Sequence, residues 1–248
     1  MFGWIRRIFE RGKRMPVEEI IGYKFKNPNY LLQALSHSSF TNEKGLPRGD
    51  SYERLEFLGD AILGYLASEY VFRRYPELPE GKLTEIKRIF VSGKTLSHIA
   101  TRLGIEEYVL LGTREAKETE SGHPSILADI YEAIVGAMYL DGGIEPVKRF
   151  LERFHFAEEK TLLNSKDYVN YKGKLLEFLQ SKGLPPPSYK LERAFGPEHR
   201  KFYIISTWSQ GKLLGLGGGF SRKEAEQQAA ERALSALERK ENELLFNG

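Results

Sequence analysis

Two short stretches of this 248-residue chain set acids among apolar neighbours in a pattern that can do chemistry. The first is Glu53-Arg54-Leu55-Glu56-Phe57-Leu58-Gly59-Asp60. On a helix, Glu56 and Asp60 share a face at a spacing of four, and Glu53 joins them three residues before Glu56. The second runs from Leu127 to Ala137, where Asp129 and Glu132 share a face among Ile126, Leu127, Ile130, Ala133 and Ile134. Carboxylates in so apolar a helix are costly unless something positive satisfies them. Two such helices face to face would gather four carboxylates. Hard oxygen donors with no cysteine or histidine nearby suit Mg²⁺ or Mn²⁺ rather than zinc. A pair of such ions can activate water and stabilise the leaving oxygen in phosphodiester hydrolysis. The plainer reading is a solvated acidic face, or acids paired with Arg54 or Arg88, and spacing alone leaves the two readings about level. Gly59, in mid-helix, costs up to ~1 kcal/mol against alanine. Close approach by another helix or by a ligand would account for it.

The elements that must position these acids are helical. Tyr30 to Leu35 follows Asn27-Pro28, a helix start. Tyr52 to Tyr75 spaces Leu55, Leu58, Ile62, Leu63, Leu66 and Tyr70 at three- and four-residue intervals and closes near Pro76. Lys82 to Leu103 and Ser125 to Leu140 keep the same period, the latter stopping at Asp141-Gly142-Gly143. The texture changes after about residue 165. A helix pattern over Lys172 to Lys182 ends at Gly183, and three strand-like runs follow: Ser188 to Phe195, Phe202 to Ser209 and Lys212 to Gly219. Ser209-Gln210-Gly211 is a tight-turn signal between the last two. An Ala-rich helix from Ser221 to about Arg239 completes a module of helix, three strands and helix. The expected fold class is therefore an all-α domain followed by a small α+β (α-β-β-β-α) domain, with no internal repeat.

Composition narrows the function classes. There is no cysteine, so disulfides, thiolate metal sites and cysteine nucleophiles are excluded, which fits a reducing compartment. No apolar run approaches the ~20 residues of a membrane span, and the first 14 residues lack a signal peptide's continuous apolar core. A cytoplasmic protein with no membrane partner and no nucleotide cofactor is expected. Charge is uneven along the chain: residues 1–14 hold five Lys/Arg against one acid, residues 15–165 hold 18 against 23, and residues 166–248 hold 14 against 10. Basic ends that attract a polyanion around an acidic, cation-holding centre would produce this division, and so would ordinary fluctuation.

Glu53 to Asp60 resembles the signature of the ribonuclease III family, and Asp129-Ile130-Tyr131-Glu132-Ala133 resembles its second acidic motif. Ala34-Leu35-Ser36-His37-Ser38-Ser39 and Pro79-Glu80-Gly81 are similar to further family segments, and the similarity runs from about Glu18 to Leu237. The resemblance implies metal ligands at Glu56, Asp60, Asp129 and Glu132, with Asp60 and Glu132 foremost in catalysis and Mg²⁺ the cofactor, Mn²⁺ substituting. Glu80 matches an accessory acid near the site. Glu53 matches a structural position, pairing across a dimer or orienting a neighbour, and His37 reads as capping or packing. Ser36, Ser38 and Ser39 lack a nearby base, so water is the expected nucleophile.

The element order after residue 165 resembles the double-stranded-RNA-binding fold, which reads a duplex by shape and 2′-hydroxyl contacts. The implied contacts fall on three surfaces. Lys172, Lys174 and Glu177 lie on the first helix, His199 in Gly196-Pro197-Glu198-His199, and Ser221, Arg222, Lys223 and Gln227 at the start of the last helix. Cations in a first turn oppose the helix dipole unless a phosphate sits there, which reverses the sign. Leu176 departs from the family, standing where glutamine is common. Ala225, Ala229, Ala230, Ala233, Leu234 and Leu237 read as core.

The expected domains are a basic tail (1–14), a ribonuclease III catalytic domain (15–157), a linker (158–167), a double-stranded-RNA-binding domain (168–240) and a C-terminal tail (241–248). The tail segment Phe2 to Phe9 is basic and mildly amphipathic; contact with RNA, a membrane surface or a partner is one reading, and a disordered tail is the favoured one. The resemblance implies a homodimeric hydrolase, a magnesium-dependent endonuclease that cuts double-stranded RNA. It would leave 5′-phosphates, 3′-hydroxyls and short 3′ overhangs, in ribosomal RNA precursor processing and in messenger RNA processing or decay. The alternative is a non-catalytic duplex-RNA binder or ribosome-associated protein on the same folds, which has little reason to keep all four carboxylates. A nuclease for DNA is disfavoured by a module that contacts 2′-hydroxyls.

Overall fold

The computed structural model describes residues 16–118, 124–165, 168–197 and 200–246; the basic tail and His199 lie outside them. The chain divides into two compact units between Tyr168 and Val169.

In the first unit the described residues form helices α1 (Pro16–Ile21), α2 (Pro28–Leu35), α3 (Ser38–Glu43), α4 (Glu53–Arg74), α5 (Glu80–Phe90), α6 (Gly93–Arg102), α7 (Thr113–Glu118), α8 (Pro124–Gly142), α9 (Ile144–Phe150) and α10 (Glu159–Asn164). Asn27 caps α2, its side chain accepting from the Asn29 N–H with Pro28 at the first turn. The single run expected from Lys82 to Leu103 is two helices. Ser92 breaks it by capping α6, Oγ accepting from the Thr95 N–H at 3.3 Å, and Gly93 is a poor helix former. α8 stops where Gly143 takes φ +77°.

The core is built around α8, whose Ile130, Tyr131, Ala133, Ile134, Val135 and Ala137 are fully buried. Leu63 of α4, Phe90 of α5 and Leu96 and Ile99 of α6 complete it, also at 0% exposure. Truncating one such leucine or isoleucine to alanine costs about 2–5 kcal/mol. His155, at the end of a π-helical turn over Leu151–His155, is buried in the same core. Its Nε2 lies 3.1 Å from the Phe90 carbonyl and its Nδ1 3.0 Å from the Tyr131 hydroxyl. A carbonyl only accepts, so Nε2 carries the proton and the tyrosine donates to Nδ1. Burial pushes His155 down to about 4, and the ring stays neutral. Part of the segment expected as a linker is helical: α10 occupies Glu159–Asn164, and Leu162 is 2% exposed within the first unit's core.

The second unit comprises α11 (Tyr171–Ser181), strands β1 (Ser188–Phe195), β2 (Phe202–Ser209) and β3 (Lys212–Gly219), and α12 (Arg222–Phe246). The strands pair antiparallel in the order β1-β2-β3. Gln210 and Gly211 both take positive φ, 49° and 71°, as a two-residue hairpin turn requires. Ala225, Ala229, Ala230 and Ala233 of α12 are fully buried, joined by Leu175 and Leu179 of α11. An ideal Cβ on Gly217 would lie 2.2 Å from the Ala229 nitrogen, so the last helix rests directly on the backbone of β3. α12 continues beyond Arg239 through Phe246, into the segment expected as a tail. Neither proline nor glycine interrupts Lys240 to Asn247.

Candidate functional site

Two glycines bring the acidic helices together. A Cβ added at Gly59 of α4 would stand 1.8 Å from the Glu132 carbonyl oxygen, and one at Gly136 of α8 would stand 2.2 Å from the Leu55 carbonyl oxygen. The two helices therefore cross backbone to backbone. Of the readings open for Gly59, the structure takes the neighbouring helix; Gly136, its counterpart, was missed, although a second mid-helix glycine beside an acid pair is the same signal.

This crossing sets Glu56 against Asp129 and Glu132, one carboxylate oxygen from each lying within 4.8 Å of the others. All three are half-buried. Among the described residues, the charges that act on Glu56 and Glu132 are all carboxylates, and Arg54 and Arg88 do not fill the role of partner. Asp60 is exposed on α4 and stands outside that triangle, close enough for its charge to act on both glutamates. Burial first, then the charges of Asp60, Glu56 and Asp129, pushes Glu132 up to about 8. Burial followed by Asp129, Glu53 and Asp60 raises Glu56. Asp129 is raised by burial against the opposing pull of a hydrogen bond from Tyr52 and the nearby His37.

That hydrogen bond was not foreseen. The Tyr52 hydroxyl donates to Asp129 Oδ2 at 3.2 Å, and burial and the surrounding acids hold the phenol protonated. His37 caps α3 through Nδ1, which accepts from the Ser39 N–H at 3.2 Å, and its ring stacks on Tyr52 at 5.6 Å. Ser39 Oγ also lies 2.8 Å from that Nδ1, so Ser39 does have a base beside it, contrary to the expectation from sequence; the same Oγ accepts from the Gly112 N–H, which ties it into the cap. Glu53 is exposed and accepts from Ser51 Oγ at 3.1 Å. Glu80 opens α5, is exposed, and accepts from Thr84 Oγ1 at 2.8 Å; it is not among the clustered carboxylates. The donor set of the cluster is all oxygen and half-buried, and Tyr52 and His37 offset only Asp129, which fits a hard divalent cation.

On the second unit, Ser221, Arg222 and Lys223 are exposed at the start of α12. Ser221 Oγ caps the helix by accepting from the Glu224 N–H at 3.1 Å, and the Arg222 guanidinium lies over Tyr203 at 5.9 Å. Lys174 and Glu177 are exposed on α11. Two other residues expected at a ligand are engaged within the protein. Gln227 Oε1 accepts from the Lys172 N–H while its Nε2 donates to Asn170 Oδ1, both at 3.2 Å. Lys172 Nζ pairs with Glu226 and lies 4.6 Å from the Tyr189 ring centroid. Leu176 is half-buried.

Comparison with known proteins adds two family matches: residues 27–158 match the Ribonuclease-III-like family, and residues 171–237 match the Double-stranded RNA binding motif. The chain is similar to Ribonuclease 3 of Symbiobacterium thermophilum, 40% identical over 92% of this chain and 95% of that one. Ribonuclease 3 of Syntrophotalea carbinolica is also 40% identical, over 90% and 96%. Among solved structures, the nuclease domain of the Campylobacter jejuni ribonuclease III superposes with a TM-score of 0.53 at 35% identity, over 57% of this chain and 94% of that one. That structure was described for flexibility in its region of dimer formation.

Proposed function

The chain belongs to the ribonuclease III family, and from that premise we propose that it is a double-strand-specific endoribonuclease whose cutting centre is the carboxylate cluster at the α4–α8 crossing. One observation carries the reading: three half-buried carboxylates converge, and among the described residues no lysine or arginine offsets the charge on Glu56 and Glu132. Such a cluster is destabilising unless it has a cation to hold. Glu56, Asp129 and Glu132 would hold Mg²⁺ or Mn²⁺, with Asp60 at the rim. Bound there, the ion supplies acidified water and positive charge for the leaving oxygen.

The chain's own residues do the rest. Without a cation, Glu132 retains a proton at a carboxyl oxygen near neutral pH, and it gives this up to become a ligand. Asp60, exposed at the rim, adds negative charge that acts on both glutamates and strengthens the pull on a cation. Water is the nucleophile, and hydrolysis leaves a 5′-phosphate and a 3′-hydroxyl. The second unit would hold the duplex through Ser221, Arg222 and Lys223, with Lys174 and Glu177 of α11 and His199 as further contacts.

A homodimer is part of the proposal. Phe57, Tyr65 and Phe72 of α4 are 82%, 58% and 71% exposed. Large apolar side chains so exposed along one helix are the mark of an interface. Two sites related by a two-fold axis would cut both strands and leave short 3′ overhangs. Structured ribosomal RNA precursors and messenger RNA hairpins are the proposed substrates, and the cytoplasm the proposed compartment. No described helix is long and apolar enough to cross a membrane.

The test is cleavage of a long RNA duplex. Wild-type protein is expected to cut with Mg²⁺ and stop in EDTA, and Glu132→Gln to bind the duplex without cutting it. Undiminished cutting by Glu132→Gln, or cutting in EDTA, would sink the reading.

A further inference from the structure

We propose that Tyr52 is a positioning residue of the metal centre, holding the Asp129 carboxylate in the orientation from which it serves as a ligand. The inference rests on the metal-centre reading above and goes beyond it to a residue that is not itself a ligand. Tyr52 is 6% exposed, and its hydroxyl is 3.2 Å from Asp129 Oδ2. An ionised carboxylate only accepts, so the phenol donates. That bond engages Oδ2 and restrains rotation of the carboxylate group beside Glu56 and Glu132.

The phenol is fixed before it meets Asp129. Its backbone N–H donates to the Ser36 carbonyl at 2.9 Å, which pins the residue just ahead of α4. The His37 ring stacks on it with an interplanar angle of 28°. His37 is itself held at Nδ1 by Ser39, 2.8 Å from that hydroxyl, and the same hydroxyl accepts from the Gly112 N–H at 2.9 Å. A chain of contacts thus runs from the Gly112 backbone through Ser39, His37 and Tyr52 to one oxygen of the cluster. An outer partner of this kind fixes a ligand's direction, and its loss typically lowers metal affinity by ~10–100-fold. The competing role is a mere tie between the start of α4 and α8, which would affect folding and leave ion binding alone.

Titration of the full-length protein with Mn²⁺ alone, followed by electron paramagnetic resonance of the free ion and without RNA, separates the two. Tyr52→Phe keeps the ring, its burial and its stacking on His37, and removes only the hydroxyl. It is expected to weaken Mn²⁺ binding at least ~10-fold, and to raise by a similar factor the Mg²⁺ concentration needed for half-maximal cleavage, with the rate recovering at saturating Mg²⁺. A lowered melting temperature with unchanged Mn²⁺ affinity would overturn the proposal and leave the metal centre standing. Wild-type protein that binds no Mn²⁺, or binding that Glu132→Gln leaves intact, would overturn the metal-centre reading and this proposal with it.

Discussion

Asp129 and Glu132 lie one turn apart on α8 with carboxylate oxygens within 4.8 Å, and the proximity of Asp129 is one reason Glu132 is pushed up to about 8. The raised value has a consequence for stability. Glu132 binds its proton more tightly folded than unfolded, so metal-free protein loses stability as pH rises from the ordinary 4.5 through about 8. His155 works oppositely: depressed from 6.5 to about 4, it favours the folded state above 6.5 and withdraws that support as pH falls towards 4. The window from 6.5 to 8 therefore isolates the carboxylates. Melting temperatures in EDTA are expected to fall across it, and Glu132→Gln should flatten the decline. An equal slope in the variant would refute the assignment. Mn²⁺ should raise the wild-type melting temperature most at the upper end.

The helix crossing predicts a contrast between glycines. Gly59→Ala places a Cβ 1.8 Å from a carbonyl oxygen, so the helices must separate; a loss of several degrees in melting temperature and of Mn²⁺ affinity is expected. Gly93→Ala meets only Ala128 Cβ at an ordinary 3.7 Å and should be neutral, or stabilising by up to ~1 kcal/mol. Thermal scans of both variants with and without Mn²⁺ check this; a Gly59→Ala protein indistinguishable from wild type would contradict the crossing.

For the second unit, Arg222→Gln and Lys223→Gln should each weaken duplex binding across sequences and reduce the salt slope by about one. Gln227→Ala should act differently. It removes the ties to Lys172 and Asn170, so protection of α11 amides from hydrogen exchange should fall while the salt slope stays put. A salt slope that drops in Gln227→Ala as in Arg222→Gln would show that Gln227 accompanies a phosphate contact.

The proposed dimer depends on the apolar face of α4. A Tyr65→Glu/Phe72→Glu double variant changes exposed side chains, so the fold should survive and the sedimenting species should become a monomer. Sedimentation velocity on wild type and variant decides it, and a variant that still sediments as a dimer rules this face out.

Much of the fold was legible because its periods are simple. The three strands run over the residues that alternation and turn chemistry indicated, and α4 and α8 follow the apolar spacing around their acids. Local rules did not convey what tertiary contacts decide. The break at Ser92-Gly93 is a cap inside an unbroken apolar period. Spacing put Asp60 on a face with Glu56, yet it stands outside the triangle that Glu56 forms with Asp129 and Glu132 across the helix crossing. Tyr52 reaches Asp129 across 77 positions of sequence, which no window along the chain contains. Lys172 and Gln227 looked like free contact residues because their partners, Glu226 and Asn170, come from the far ends of the module.

The Gln227 bridge joins the beginnings of α11 and α12, the two helices proposed to contact the duplex. Two contact points clamped at a set separation act as a caliper. They fit one groove-to-groove distance along a double helix and miss others, so such a module would tell A-form from B-form geometry by measuring span alone, whatever bases lie between.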